Sequence, residues 1–293
     1  MSIKLIVTDM DGTLLDYKDE ISMENIQALM TAQQKGIQVI LASGRSHRRL
    51  LPYAQKLHLN EYGGLLIEVN GMAIYDPKTN KRRIFQQLHR DEVMDICNYL
   101  SAFDVEIQVY FDDGFYCYIP DVLYIYKREE RERRKLPDDY PWVSGAWSWI
   151  SDNRSGYPNQ KLIKNFQEID RDKLNKVNIS HNADYLDQIE ATIKNDLKNY
   201  QVVRTCPRML EITPKNISKG QTLRRYMEEA GLSKDEVIAF GDGENDVDMF
   251  KAAGISVAMD NAEERIKKEA TYVTCANTQS GVAKALYRFV LHE

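Results

Sequence analysis

The chain has 293 residues, a net charge of −5, and hydrophobic and charged fractions of 43% and 28%. That length allows about two domains with a full core, and the composition is that of an ordinary globular protein. The acidic balance argues against nucleic acid as the main partner, and no apolar run approaches the ~20 residues that span a bilayer.

Strand pattern begins at Ile3, which leaves no room for a signal peptide. Leu5, Ile6 and Val7 form the apolar run expected of a buried strand in a parallel sheet. The run leads to Asp9 and Asp11, then Gly12 and Thr13. Residues two apart in an extended chain project the same way, so both carboxylates can act on one ligand. Gly12 lets the backbone turn away. Ligands of open α/β sheets bind beyond the carboxyl ends of the strands, which puts the pair at the mouth of a crevice. Two such carboxylates repel: a cation would hold one ionised while the other keeps a proton near neutral pH. A hard divalent ion with oxygen ligands, magnesium (Mg2+) first, fits. One carboxylate as nucleophile beside another as acid/base suits phosphoryl transfer. The alternative is a solvated Asp-rich turn.

Ser22 caps an amphipathic helix that stops near Gly36, and residues 37–42 read as a second buried strand ending in Ser43, Gly44 and Arg45. Strand, helix and strand make a βαβ unit, so the sheet is parallel there. Ser43 and the Gly44 N–H can bind a phosphate oxygen; the alternative is a helix N-cap by Ser43 or Ser46. A helix over 47–58 and a strand over 64–69 lead to Asn70 and Gly71, a hairpin signal, with 72–75 returning.

From about residue 81 the character changes. Helix pattern covers 91–100, and strands cover 105–110 and 115–119. A charged, aromatic stretch follows over 121–157, in which 127–135 mixes both signs like a solvated helix face. Trp142, Trp147 and Trp149 could pack a small core, line a pocket or form a contact surface, with core packing favoured. Beyond it come a strand over 161–166, a short helix over 170–176, strands at 177–180, 201–204 and 210–213, and a helix over 185–197.

Ser218 is placed to cap a helix that Gly231 ends. Lys219, in the first turn, is unfavourable at the positive end of the macrodipole unless an anion is present; otherwise it is an exposed lysine. A strand over 237–240 ends in Gly241, Asp242, Gly243, Glu244, Asn245 and Asp246, a second acidic loop. A helix over 247–254, the run 255–262 with Asn261 near its end, a short strand at 272–274 and a helix over 281–290 complete the chain. Cys97, Cys117, Cys206 and Cys275 are far apart with no Cys-x-x-Cys pair, so zinc is not expected, and scattered thiols fit a reducing, cytoplasmic setting.

Asp9-Met10-Asp11-Gly12-Thr13 resembles the first motif, DxDGT, of the haloacid dehalogenase (HAD) superfamily of phosphohydrolases. Ala42-Ser43-Gly44-Arg45, Ser218-Lys219-Gly220 and the GDxxND run from Gly241 to Asp246 are similar, in order, to the remaining three motifs of its Cof-type branch, subfamily IIB. The resemblance implies an α/β fold with a Rossmann-like parallel-sheet core over 1–81 and 213–293, interrupted by an α/β cap domain over 82–212 that governs substrate choice. The stretch at 120–157 departs from a compact cap.

The resemblance also implies roles. Asp9 is the nucleophile and Asp11 the acid/base, and Lys219 pairs with Asp9 and the phosphate. Ser43 and Gly44 bind the phosphate. Magnesium is held by Asp9, Asp242 and the main-chain carbonyl of Asp11, with Asn245 and Asp246 in support. Arg45, Asn70 and Asn261 are candidate substrate contacts. The implied activity is a magnesium-dependent phosphatase acting on small phosphorylated metabolites, sugar phosphates first. A phosphomutase or a non-catalytic phosphate sensor is the alternative. A P-type ion pump, which shares aspartyl-phosphate chemistry, needs membrane helices.

Overall fold

The computed structural model describes residues 2–291. Contacts divide them into two compact units, 2–85 with 217–291, and 86–216.

The first unit starts with β1 (Leu5–Thr8), α1 (Met23–Gln34), β2 (Gln38–Ala42), α2 (His47–Lys56), α3 (Leu59–Tyr62), β3 (Leu65–Glu68), β4 (Ala73–Asp76) and β5 (Lys81–Ile84). β5 pairs antiparallel with β4, which carries this unit on to residue 85, past the expected boundary at 81.

The second unit holds β6 (Leu88–His89), α4 (Arg90–Leu100), β7 (Glu106–Phe111), β8 (Gly114–Tyr118) and α5 (Asp121–Arg134). It continues with β9 (Asn159–Ile163), β10 (Lys173–Leu174), β11 (Lys176–Ser180), α6 (Ala183–Asp196), β12 (Tyr200–Cys206) and β13 (Met209–Pro214). The chain then returns to the first unit with α7 (Lys219–Ala230), β14 (Val237–Gly241), α8 (Val247–Ala252), β15 (Ile255–Ala258), α9 (Glu264–Lys267), β16 (Tyr272–Val273) and α10 (Gly281–Leu286).

The large sheet of the first unit has the order β16-β15-β14-β1-β2-β3-β4-β5. It is parallel from β16 to β3 and antiparallel from there to β5. Successive strand residues face opposite sides. Ile6, Leu41, Ile238 and Phe240 therefore pack on one side, and Leu5, Val7, Ile40 and Ala239 on the other. Both faces are covered, which is why these strands read as unbroken apolar runs. The order steps from β1 outward to β2 on one side and to β14 on the other, so β1 lies at the switch point where α/β sheets open a crevice.

The second unit is a six-stranded sheet of order β12-β13-β11-β7-β8-β9. Ile107, Val109, Val177, Ile179, Leu210 and Ile212 share an apolar core with α4 and α6. Residues 121–157 form α5 and an irregular return that packs on Tyr110, Phe115 and Cys117.

Several expectations need correcting. The solvated face expected over 127–135 holds Lys127, fully buried, and Arg131, 8% exposed, four apart on the same side of α5 as buried Leu123. Lys127 Nζ lies 2.6 Å from Glu106 Oε2, also fully buried, and donates to the carbonyls of Trp142 and Trp149 at 2.7 Å each. Arg131 donates to the carbonyls of Tyr140 and Pro137. Long basic side chains hold the irregular return because its own carbonyls lack ladder partners. Trp142 and Trp149 pack on the apolar cluster, but Trp147 is 78% exposed and is not core. Residues 170–176 are not a helix: Lys173 and Leu174 pair with β6, and β11 starts at Lys176. The strand expected over 161–166 gives way after Ile163 to a turn of 3-10 helix, Phe166–Glu168. The last helix tightens no further than Leu286 as an α-helix and continues as a π turn, Tyr287–Leu291.

Candidate active site

The carboxyl ends of β14, β1 and β2 set three loops side by side. The Asp9 N–H donates to the Phe240 carbonyl at 3.0 Å, which places Asp9 beside the loop carrying Asp242. Ser43 follows β2 and is 1% exposed, with its Oγ accepting from the Arg45 N–H at 3.1 Å. Ser218 caps α7, accepting from the Gln221 N–H at 3.0 Å, so Lys219 opens the helix. Lys219 is not an exposed lysine: it is fully buried, with Nζ 2.5 Å from Asp9 Oδ1 and 2.7 Å from Asp246 Oδ1.

Asp9, Asp242 and Asp246 each offer a carboxylate oxygen within 4.8 Å of the others. Asp246 spends both its oxygens inside the chain, since its Oδ2 accepts the N–H groups of Asp242 and Gly243 at 3.0 Å each. Thr13 donates to Asp242 Oδ1 at 2.7 Å. Asp9 and Asp242 each keep one oxygen with no hydrogen bond from the described residues. All donors here are carboxylate oxygens, the set a hard divalent cation takes.

One ammonium faces several carboxylates in a buried place, so negative charge is in excess. Burial pushes the Asp9 carboxyl well above its usual range; Lys219 pulls it down, and Asp246, Asp242 and Asp11 push it further up. Burial and Asp246 raise Asp242 to about 7 against the hydrogen bond from Thr13. Burial weakens the Lys219 ammonium, but Asp246 and Asp9 outweigh it and hold it charged. A bound cation would relieve this excess.

Asp11 behaves differently from its expected protonated state. Arg45 Nε donates to Asp11 Oδ2 at 2.9 Å and Arg45 Nη2 grips the other oxygen, while Nη2 also reaches Asp19 Oδ1 at 2.6 Å. Burial raises the Asp11 carboxyl, yet the hydrogen bond and charge of Arg45 win and hold it below the usual carboxylate range. Arg45, a candidate substrate contact, is therefore engaged with two carboxylates of the loop after β1.

Asn70 sits at positive φ (52°) between β3 and β4, in a three-residue 3-10 turn rather than a two-residue hairpin turn. Its N–H donates to the Ser43 carbonyl at 2.9 Å, and its Oδ1 accepts from Asn245 Nδ2 at 3.0 Å. A Cβ on Gly44 would lie 3.3 Å from the Asn70 amide. Asn70, Gly44 and Asn245 thus meet at one wall. Asn261 donates from Nδ2 to the Gly12 carbonyl at 2.8 Å and steadies that turn.

Two residues had no role assigned from the sequence. Thr13, in the first motif, orients Asp242. Glu68, fully buried at the end of β3, accepts from the His47 N–H at 2.6 Å and from Arg82 Nε at 2.5 Å, tying the loop after Ser43 to the sheet. A lone acid at the end of an apolar strand is the signal for Glu68. Among the described residues, no helix is long and apolar enough to cross a membrane.

A family model described as haloacid dehalogenase-like hydrolase matches residues 6–286. The chain is 29% identical over 285 residues to the phosphatase YwpJ of Bacillus subtilis, covering 96% of this chain and 98% of that one. It is also 29% identical to 5-amino-6-(5-phospho-D-ribitylamino)uracil phosphatase YcsE of Bacillus subtilis, covering 99% and 97%. A solved haloacid dehalogenase-like hydrolase from Bacteroides thetaiotaomicron superposes with a TM-score of 0.75 at 31% identity, covering 98% of this chain and 99% of that one.

Proposed function

The chain belongs to the haloacid dehalogenase-like hydrolases, in their Cof-type branch, and is a phosphatase; on that premise we propose that it hydrolyses small phosphomonoesters by way of an aspartyl phosphate on Asp9. The observation that carries the reading is the buried contact of Lys219 with Asp9 beside Asp242 and Asp246.

Asp9, Asp242 and the main-chain carbonyl of Asp11 would hold magnesium in this reading, and the bound ion would offset charge on the phosphoryl oxygens. Lys219, the Ser43 hydroxyl and the Gly44 N–H bind those oxygens, and such fixed donors supply most of the rate. Asp11 lets go of Arg45, takes up a proton from water as its pKa rises, and gives it to the leaving oxygen while Asp9 attacks phosphorus and the bond to that oxygen breaks. Asp11, now a carboxylate, takes a proton from the water that cleaves the aspartyl phosphate and returns free phosphate. Asp11 reaches the leaving oxygen only after it lets go of Arg45. Arg45, Asn70 and Asn245 then face the ester. Asn261 acts indirectly, through the Gly12 turn. Substrate choice rests with the inserted unit, as a cap domain.

Sugar phosphates and related phosphorylated polyols lead the substrate classes; the relative that acts on a phosphorylated ribityl compound supports this. The test is phosphate release from a panel of sugar phosphates, nucleotides and an aryl phosphate, with and without magnesium, for wild type and Asp9→Asn. Magnesium-dependent release that Asp9→Asn abolishes is the expected result. Full activity in Asp9→Asn overturns the covalent step, and isomerised sugar phosphate in place of free phosphate makes the enzyme a mutase.

A further inference from the structure

We propose that the inserted unit contains a second binding site, for a small oxyanion, built by Asn178, Ser180, His181 and Arg208. It shares no residue with the aspartate site and does not rest on the reaction proposed there.

Buried polar side-chain atoms are nearly always paired, so a cluster of exceptions points to a ligand. Among the described residues, Asn178 Oδ1, Ser180 Oγ, His181 Nδ1, and Arg208 Nε and Nη2 are buried without a hydrogen-bond partner in the chain. Ser180 is fully buried and Asn178 is 3% exposed. The four residues come together through β11 and β13. Ser180 pairs with Met209, and Asn178 shares its side of the strand. The His181 N–H donates to the Arg208 carbonyl at 3.2 Å.

Arg208 is held in place but not neutralised. Its guanidinium lies over the Trp149 ring, 4.1 Å from the centroid, and Trp149 meets His181 edge-on at 5.4 Å. Arg208 Nη1 donates to Asn182 Oδ1 at 2.7 Å. That leaves Nε and Nη2, the edge that forms a two-pronged fork. Arg45 uses the same two nitrogens to grip Asp11. An arginine fork with no carboxylate matches the geometry of a carboxylate or phosphate group.

The surroundings favour an anion. Burial weakens the Arg208 guanidinium against the pull of Glu106 and Glu130, and burial together with Arg208 lowers His181 against the pull of Asp104. α6, 14 residues long, starts at Ala183 and adds its positive end. Its N-cap, Asn182, spends Oδ1 on Arg208 rather than on the helix. Ser180 Oγ and His181 Nδ1 can each donate, whereas Asn178 Oδ1 accepts. A group that joins an oxyanion to a hydroxyl satisfies all of them, as in a hydroxycarboxylate or a hydrogen phosphate.

The test is isothermal titration of the full chain with glycolate, with inorganic phosphate and with acetate, which lacks the hydroxyl. The variants are Arg208→Met, Ser180→Ala and Ser43→Ala, each checked for folding by circular dichroism. Glycolate and phosphate should bind, and acetate more weakly. Arg208→Met should weaken glycolate at least about tenfold, the loss of a charge-assisted fork. Ser180→Ala, which removes one oxygen and serves if Arg208→Met does not fold, should weaken it by a smaller factor. Ser43→Ala should leave the glycolate isotherm unchanged. No heat with glycolate or phosphate at millimolar concentration overturns the proposal, as does glycolate binding that survives both inserted-unit variants or disappears in Ser43→Ala.

Discussion

Lys219 Nζ lies 2.5 Å from Asp9 Oδ1, a contact between residues 210 positions apart in the chain. Both groups are buried, and the same ammonium holds Asp246 at 2.7 Å. Lys219→Met removes the cation and leaves the carboxylates facing one another. Phosphatase activity should fall by about 10²–10³-fold or more, the scale for losing one buried charge-stabilising donor. Breaking a buried ion pair from one side costs ~3–5 kcal/mol, so urea unfolding of the metal-free protein at neutral pH should show a loss of that order. Wild-type turnover in Lys219→Met would remove this lysine from the mechanism.

Arg45 decides the state of Asp11. Above the unfolded carboxylate pKa of about 3.9, ionised Asp11 favours the fold through Arg45; that contribution is lost as pH falls through the lowered folded value. The carboxyl is half-exposed, so the pair is worth under ~1 kcal/mol. In Arg45→Gln the Asp11 pKa rises. The limb of the pH profile of kcat/KM that reports Asp11 should move to higher pH, and Arg45→Lys should shift it less. An unmoved limb in Arg45→Gln separates the arginine from this acid.

Gly12 and Gly36 have the same backbone and different surroundings. Their φ angles are +81° and +83°, which side chains rarely adopt. A Cβ on Gly12 would run into the Asp242 carboxylate, while no described residue lies within 4 Å of one on Gly36. Both alanine variants should lose ~1–2 kcal/mol in thermal or urea unfolding. Only Gly12→Ala should also lose activity, at least about tenfold, and need more magnesium, because Asp242 must move. Equal activity in the two variants would show that the crowding at Asp242 is tolerated.

The buried pair of Glu106 and Lys127 predicts a pH-dependent defect in the inserted unit. Burial raises Glu106, but Lys127 outweighs it and holds the carboxyl below its usual range. Its stabilising share is present above the unfolded value of about 4.3 and is lost as pH falls through the folded one. Lys127→Met strands the carboxylate and should cost ~3–5 kcal/mol at neutral pH. In that variant the Glu106 pKa is raised instead, so lowering the pH protonates it and narrows the gap to wild type. Urea unfolding at neutral and mildly acid pH reads the gap, and a gap that widens on acidification contradicts the assignment.

The parallel core was legible because its strands are buried on both sides and read as plain apolar runs. β1, β2 and β14 each end at a residue type that chemistry marks: Asp9, Ser43 and Asp242. The inserted unit was less legible. Lys127 and Arg131 have the residue types of a solvated face, and only the irregular return that folds over them makes them buried. Residues 170–176 lack a periodic pattern, and it is pairing with β6 that makes Lys173 and Leu174 a strand.

By itself, then, the sequence determined the core strands and the residues at their carboxyl ends, since strand periodicity and residue type are local properties, while the family followed from the resemblance of its four motifs. Tertiary structure alone decided the charge state of those groups and the partners of Asp11 and Asp242. Arg45 reaches Asp11 across 34 positions, and Thr13 reaches Asp242 across 229. Whether a carboxyl is held ionised or pushed up depends on burial and on which charge stands beside it, and both are set only when distant strands align.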